Sequence, residues 1–173
     1  MFLTIFTLTV NLLCVAAQAV LYPQSRVFCS ADINSSLLVN SSKLTYEYLD
    51  ISGNRIRSLV NSVFRKQGQL QTLVLSGNML QSLGPELFID CTNLRSLYLS
   101  GNNVSEISTW SFVGLQHLDH LDLSNNTIEV LNTLVFQNNL TCSRRQTRQV
   151  SKLKHLNLAQ NKTRSFNLIP ISR

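Results

Sequence analysis

The pattern L-x-x-L-x-L-x-x-N-x-L recurs along the chain, and no other feature restricts the fold so sharply. It runs through Leu70–Leu80, Leu94–Val104 and Leu118–Ile128. An earlier copy opens on Tyr46 and ends at Ile56, and a later one runs from Leu153 to Thr163. The asparagines of the pattern are Asn54, Asn78, Asn102, Asn126 and Asn161, spaced by 24, 24, 24 and 35 residues. A phenylalanine follows ten residues after each of the first four, at Phe64, Phe88, Phe112 and Phe136. Five positions after every asparagine stands a further apolar residue: Leu59, Leu83, Ile107, Leu131 and Phe166. A fixed period of this length is the signature of a repeat architecture.

In each copy the alternation Leu-x-Leu predicts a short strand. Successive side chains point to opposite faces, so the leucines face an interior and the x residues face out. One repeat cannot bury its own leucines, whereas stacked neighbours share a continuous core. The expected fold is an α/β-type solenoid of about five repeats with one short parallel sheet. With 44% hydrophobic and 14% charged residues, the composition excludes a disordered polymer.

These motifs resemble the leucine-rich-repeat family, in the 24-residue form found in Toll-like receptor ectodomains, Slit-type proteins and small leucine-rich proteoglycans. The resemblance covers residues 46–168. It implies a horseshoe with the sheet on its concave face. It also implies that Asn54, Asn78, Asn102, Asn126 and Asn161 form a ladder to the backbone of turns and neighbouring repeats, and that the phenylalanines stack as a spine.

The chain ends are expected to be different. Residues 1–19 read as a secretory signal peptide, uncharged and apolar, with Ala17-Gln18-Ala19 as the cleavage site. The rival reading is an uncleaved anchor; no second apolar run of spanning length follows. Residues 20–45 lack the repeat and are expected to cap the core. The family's cap usually pairs cysteines, but only Cys29 stands there. Residues 169–173 form a tail without a cysteine-rich cap. A bare last coil exposes apolar surface, to be covered by residues 166–171 folding back, by a partner, or by further chain. Cys14 leaves with the signal, so Cys29, Cys91 and Cys142 remain, an odd number compatible with a disulfide-linked dimer. Cys91 occupies the place that Leu115 holds one repeat later, which points to a buried core thiol.

Candidate binding residues follow from the strand alternation. One outward column is Asp50, Val74, Tyr98, Asp122 and Asn157; its neighbour is Tyr48, Thr72, Ser96, His120 and His155. A third is Glu47, Gln71, Arg95, Asp119 and Lys154. Tyr48, Asp50, Arg95, Tyr98, His120, Asp122, His155 and Asn157 are the candidate ligand-binding set on the concave face, with tyrosine and arginine enriched in binding hot spots. His120 and His155 become neighbours if the 11 surplus residues of the fourth repeat loop out. Exposed histidines contacting a partner are the plain reading; a pH sensor and a transition-metal site are sharper alternatives.

The surplus forms an inserted loop over residues 137–152, carrying Arg144, Arg145, Arg148 and Lys152. The net charge of +6 hides an asymmetry: every acid lies at or before Glu129, while eight basic residues lie from Arg144 onward. Such a cluster suits a heparin-like polyanion, and Arg145-Gln-Thr-Arg148 has the form of a processing site. Nucleic acid is disfavoured because no aromatic residues interleave the charges. Sequons place N-glycans at Asn34, Asn40, Asn103, Asn125 and Asn139, and leave Asn161 bare because it serves the ladder. A glycan at Asn125 would shield part of the columns.

No nucleophile elbow, phosphate loop or metal-ligand spacing is present, so neither an enzyme nor a cofactor or metal is expected. The expected function is a secreted or cell-surface recognition module that binds a protein or glycan partner through the concave face and basic loop. The alternatives are a truncated Toll-like receptor ectodomain of innate immune signalling and a structural extracellular-matrix protein. Edge-to-edge dimers are a further expectation for an uncapped solenoid.

Overall fold

The computed structural model describes residues 47–138 apart from 62, together with 148–149 and 153–167. In chain order its strands are β1 (Tyr48–Asp50), β2 (Thr72–Val74), β3 (Ser82–Leu83), β4 (Ser96–Tyr98), β5 (Glu106–Ile107) and β6 (His120–Asp122). They continue with β7 (Val130–Asn132), β8 (Gln137–Asn138), β9 (Arg148–Gln149), β10 (His155–Asn157) and β11 (Ser165–Asn167). The five Leu-x-Leu segments form one parallel sheet in the order β1-β2-β4-β6-β10. The chain is therefore a parallel-strand solenoid, as the period requires.

Pairing aligns Leu49, Leu73, Leu97 and Leu121 with Leu156 in one row. The first four are almost wholly buried. Each such leucine contributes roughly 1.5–3 kcal/mol through burial alone. Four of the five apolar residues five positions after an asparagine make small sheets of their own: β3 pairs with β5 and β7 with β11, both parallel, while Leu59 lies in no strand. Nothing in the periodicity marked those positions as strands, because two residues are too few to show alternation.

The asparagine ladder is present from end to end. In each interior rung the amide oxygen accepts an N–H from the preceding repeat: Ile56 to Asn78 at 3.1 Å, Leu80 to Asn102 at 3.1 Å and Val104 to Asn126 at 2.9 Å. The amide nitrogen donates both to its own repeat and to the one before, as Asn102 does to Leu99 and Leu75. Asn161 keeps this geometry across the longer spacing, taking the Ile128 N–H at 3.1 Å and donating to Leu123. It is only half-buried, unlike the other four. Asn54 donates to Ile51 and Ser52, but its buried oxygen finds no donor among the described residues.

The phenylalanine spine is also in place. Phe64, Phe88, Phe112 and Phe136 stack in sequence with centroids 5.6, 6.3 and 5.3 Å apart. Cys91 is fully buried beside it, its thiol directed at the Phe64 carbonyl. Burial, helped by the neighbouring Asp90 carboxylate, pushes the thiol up to about 12, so it stays protonated and inert.

The residue before each ladder asparagine turns through the left-handed region. Gly53, Gly77 and Gly101 do so at φ +66°, +67° and +65°, then Asn125 at +51° and Gln160 at +56°. Asparagine tolerates this conformation, but glutamine has no local compensation and loses about 1 kcal/mol there. Gln160→Gly is therefore expected to raise stability by about 0.5–1 kcal/mol despite glycine's extra unfolded entropy. The shift of the urea midpoint measures it, and no shift, or a fall, would refute the strain at this turn.

The base of the inserted loop is partly ordered by strand pairing. A turn of 3-10 helix at Thr133–Phe136 leads into β8, which pairs antiparallel with β9, Gln137 with Gln149 and Asn138 with Arg148. The insertion is thus closed at its base by this antiparallel pair. Hydrogen bonding between the segments entering and leaving it satisfies backbone that a longer coil would leave unpaired. Arg144, Arg145, Lys152 and Asn139 lie outside the described residues.

Candidate functional site

The outward face of the main sheet carries the three columns in the predicted register. Tyr48 aligns with Thr72, Ser96, His120 and His155, and Asp50 with Val74, Tyr98, Asp122 and Asn157. Adjacent members sit on strands about 4.8 Å apart, so one ligand can span several. The columns are unequal in what they display. Arg95, His120, His155 and Asn157 are exposed, Tyr48, Tyr98 and Asp122 half-buried.

Asp50 does not present itself as expected. It is only 7% exposed, and its Oδ1 accepts from the Ser52 backbone N–H and hydroxyl at 3.0 and 2.6 Å. Asp122 takes the Ser124 N–H at 2.9 Å and Asn157 the Ala159 N–H at 3.1 Å. Three members of this column therefore build the turn that follows their strands, as Asx residues do by accepting the N–H two positions on. The signal was visible as Asp or Asn at the strand end in three of five repeats. Asp122 and Asn157 retain a second polar atom for a partner.

The third column is an ion-pair chain. Asp119 lies 3.8 Å from Arg95 and 3.3 Å from Lys154. Both cations are largely solvated, so the pairs add little stability.

β6 and β10 pair directly across the surplus, and the two histidines meet. His120 and His155 stack with ring centroids 4.4 Å apart and planes inclined by 12°. They form the wall of an open recess of about 390 Å³ lined by Tyr98, His120, Asp122, Lys154, His155 and Asn157. Among the described residues no cluster of three or more His, Cys, Asp or Glu could hold a metal ion. No helix among them is long and apolar enough to cross a membrane.

Of the predicted glycan acceptors, Asn103 and Asn125 are exposed. The Asn161 amide is engaged in the ladder on both atoms. Asn34, Asn40 and Asn139 lie outside the described residues.

A sheet whose inner row is packed and whose outer columns are polar and displayed defines a repeat-based interaction module. The leucine rich repeat family profile matches residues 46–104 and 92–142, more than half of the chain. The chain belongs to the leucine-rich-repeat family. No curated relative matches it. Among solved structures it is similar to the one titled "Crystal structure of TLR13-ssRNA13 complex", at 25% identity and a TM-score of 0.50. That likeness covers 65% of this chain and 18% of the other, so this chain spans under a fifth of its neighbour's length.

Proposed function

We propose that this protein is an exported recognition module that binds a protein partner outside the cell through the outward face of its main sheet. The observation that carries the reading is the alignment of Tyr98, His120, Asp122, His155 and Asn157 on neighbouring strands with side chains available. The opposite side of the same strands is spent on the core. Export rests on the signal-like residues 1–19, with residues 20–45 as the cap, 46–168 as the repeats and 169–173 as the tail. Glycans at Asn103 and Asn125 would then flank the face without entering the ladder. The basic segment with Arg144, Arg145, Arg148 and Lys152 would supply a second, electrostatic contact suited to a sulfated polyanion.

A second reading is that the chain corresponds to a short stretch of a Toll-like receptor ectodomain. The structural likeness to TLR13 supports it, and the ligand would then be held jointly with repeats this sequence does not contain.

The test is saturable binding of the labelled full chain to animal cells. Tyr98→Glu is expected to weaken binding at least tenfold, as loss of a central aromatic anchor does at about 1.4 kcal/mol or more. Met79→Ser, at an exposed position in the turn after Asn78 and off the sheet face, is expected to leave binding unchanged. If Met79→Ser weakens binding and Tyr98→Glu does not, the sheet is not the recognition face.

A further inference from the structure

We infer that the recess between the His120–His155 stack and the Asp122–Asn157 pair takes an uncharged sugar ring, held through two neighbouring hydroxyls and presented by the partner as part of a glycan. The inference rests on the sheet face being the recognition surface, and adds the chemistry of one part of it.

A hydrogen-bond acceptor stands beside a donor here, and both are fixed in place. Asp122 and Asn157 are register partners on adjacent strands, about 4.8 Å apart. Asp122 gives its Oδ1 to the Ser124 N–H at 2.9 Å, and Asn157 gives its Oδ1 to the Ala159 N–H at 3.1 Å. Each side chain is thereby oriented by the turn it closes. The bond at Asn157 consumes the amide oxygen, so the remaining polar atom is Nδ2, a donor. The remaining atom of Asp122 is Oδ2, an acceptor only. Among the described residues neither atom has a protein partner, and Asp122 joins neither of the ion pairs around Asp119.

A hydroxyl is donor and acceptor at once. Two hydroxyls on adjacent carbons of a sugar ring therefore donate to Asp122 Oδ2 and accept from Asn157 Nδ2 in a single pose. The bond to the carboxylate is charge-assisted and the stronger of the two. Because both protein atoms and the diol are already rigid, little conformational freedom is lost on binding.

The rest of the lining selects a polyhydroxyl ligand without charge. The histidine stack runs from strand to strand, so ring edges rather than faces border the recess. Those edges carry the ring nitrogens; Tyr98 adds a hydroxyl and Lys154 an ammonium. The fixed charges cancel, Arg95 and Lys154 against Asp119 and Asp122, with Asp119 held 3.3 Å from Lys154 and 3.8 Å from Arg95. A site dense in hydrogen-bonding groups but without net charge favours a neutral polar ligand over an anion. Its volume of about 390 Å³ falls in the range of roughly 300–1,000 Å³ that small ligands occupy. The recess is open, which leaves a path for the rest of an oligosaccharide.

The experiment is binding of the full chain, displayed on fluorescent beads, to an array of immobilised neutral, sialylated and sulfated oligosaccharides. Binding to neutral glycans is expected, in preference to acidic ones. Asp122→Asn leaves two amides and Asn157→Asp two carboxylates, and each is expected to weaken binding at least about tenfold. Both variants keep the turn, because Asp and Asn already do the same work in these two repeats; circular dichroism verifies the fold. The double variant Asp122→Asn/Asn157→Asp again sets one carboxylate beside one amide, and is expected to bind more tightly than either single variant. The best neutral oligosaccharide, added free, is expected to displace the full chain from animal cells. Binding to acidic glycans alone, binding to none, or single variants that bind like the parent would overturn the sugar site. A double variant no better than the singles would overturn the acceptor–donor pair as its basis, and failure of the free sugar to compete would overturn its assignment to the partner. Tyr98→Glu remains the separate test of the sheet face: loss of cell binding there, with a silent array, removes the sugar and keeps the face.

Discussion

Asn102→Ala is expected to lower folding stability by about 3 kcal/mol, measured as the change in urea unfolding free energy. The reasoning is one of orphans. Asn102 accepts the Leu80 N–H and donates to the Leu75 and Leu99 carbonyls. Those two carbonyls each keep a second ladder partner, Asn78 for Leu75 and Asn126 for Leu99. The Leu80 N–H has no such reserve and is sealed inside a fully buried residue. Stranding it costs the full desolvation of an amide, and the two lost donations add to that. Asn161→Ala is the contrast: that side chain is half-buried, so water can replace much of what is lost, and about 1 kcal/mol is expected. Equal losses at the two positions would refute burial as the source of the ladder's strength.

Phe112→Ala carries the other large expected loss, about 4 kcal/mol. Its ring is fully buried between Phe88 at 6.3 Å and Phe136 at 5.3 Å. Truncation removes apolar contact on both sides, and the flanking rings belong to separate coils held apart by their own sheets and turns. The gap therefore cannot close by a simple rotamer change. Phe112→Leu refills most of the volume and is expected to cost under about 1.5 kcal/mol. Phe64→Ala should cost less than Phe112→Ala, since Phe64 stacks on one described ring rather than two. Thermal and urea unfolding of the three variants give the order, and a leucine variant as damaged as the alanine one would point to ring stacking rather than filled volume.

Both predictions concern features legible in the residues before any coordinates. The 24-residue interval placed the asparagines and phenylalanines, and with them the strand register of all five repeats. Even the insertion was locatable, because Asn161 is displaced by a fixed surplus while its neighbours keep the pattern. These features are legible because they repeat: each coil poses the same packing problem and answers it with the same residue types.

What the repeat cannot encode is whatever breaks its symmetry. Asp50 is buried where Val74, Tyr98 and Asp122 are half-buried and Asn157 is exposed, and Leu156 is exposed where its counterparts are buried, although the pattern treats the members of each row alike. The β8–β9 ladder closes an insertion that has no counterpart in the other coils. The stacking of His120 on His155 joins residues 35 apart and needs both the direct pairing of β6 with β10 and a choice of side-chain rotamers. Sequence alone thus determined the solenoid, its register, its ladder and its spine, since these follow from local alternation and a constant period. Tertiary structure alone decided the stacking and the recess, since these depend on which neighbour a strand has and how side chains settle against it.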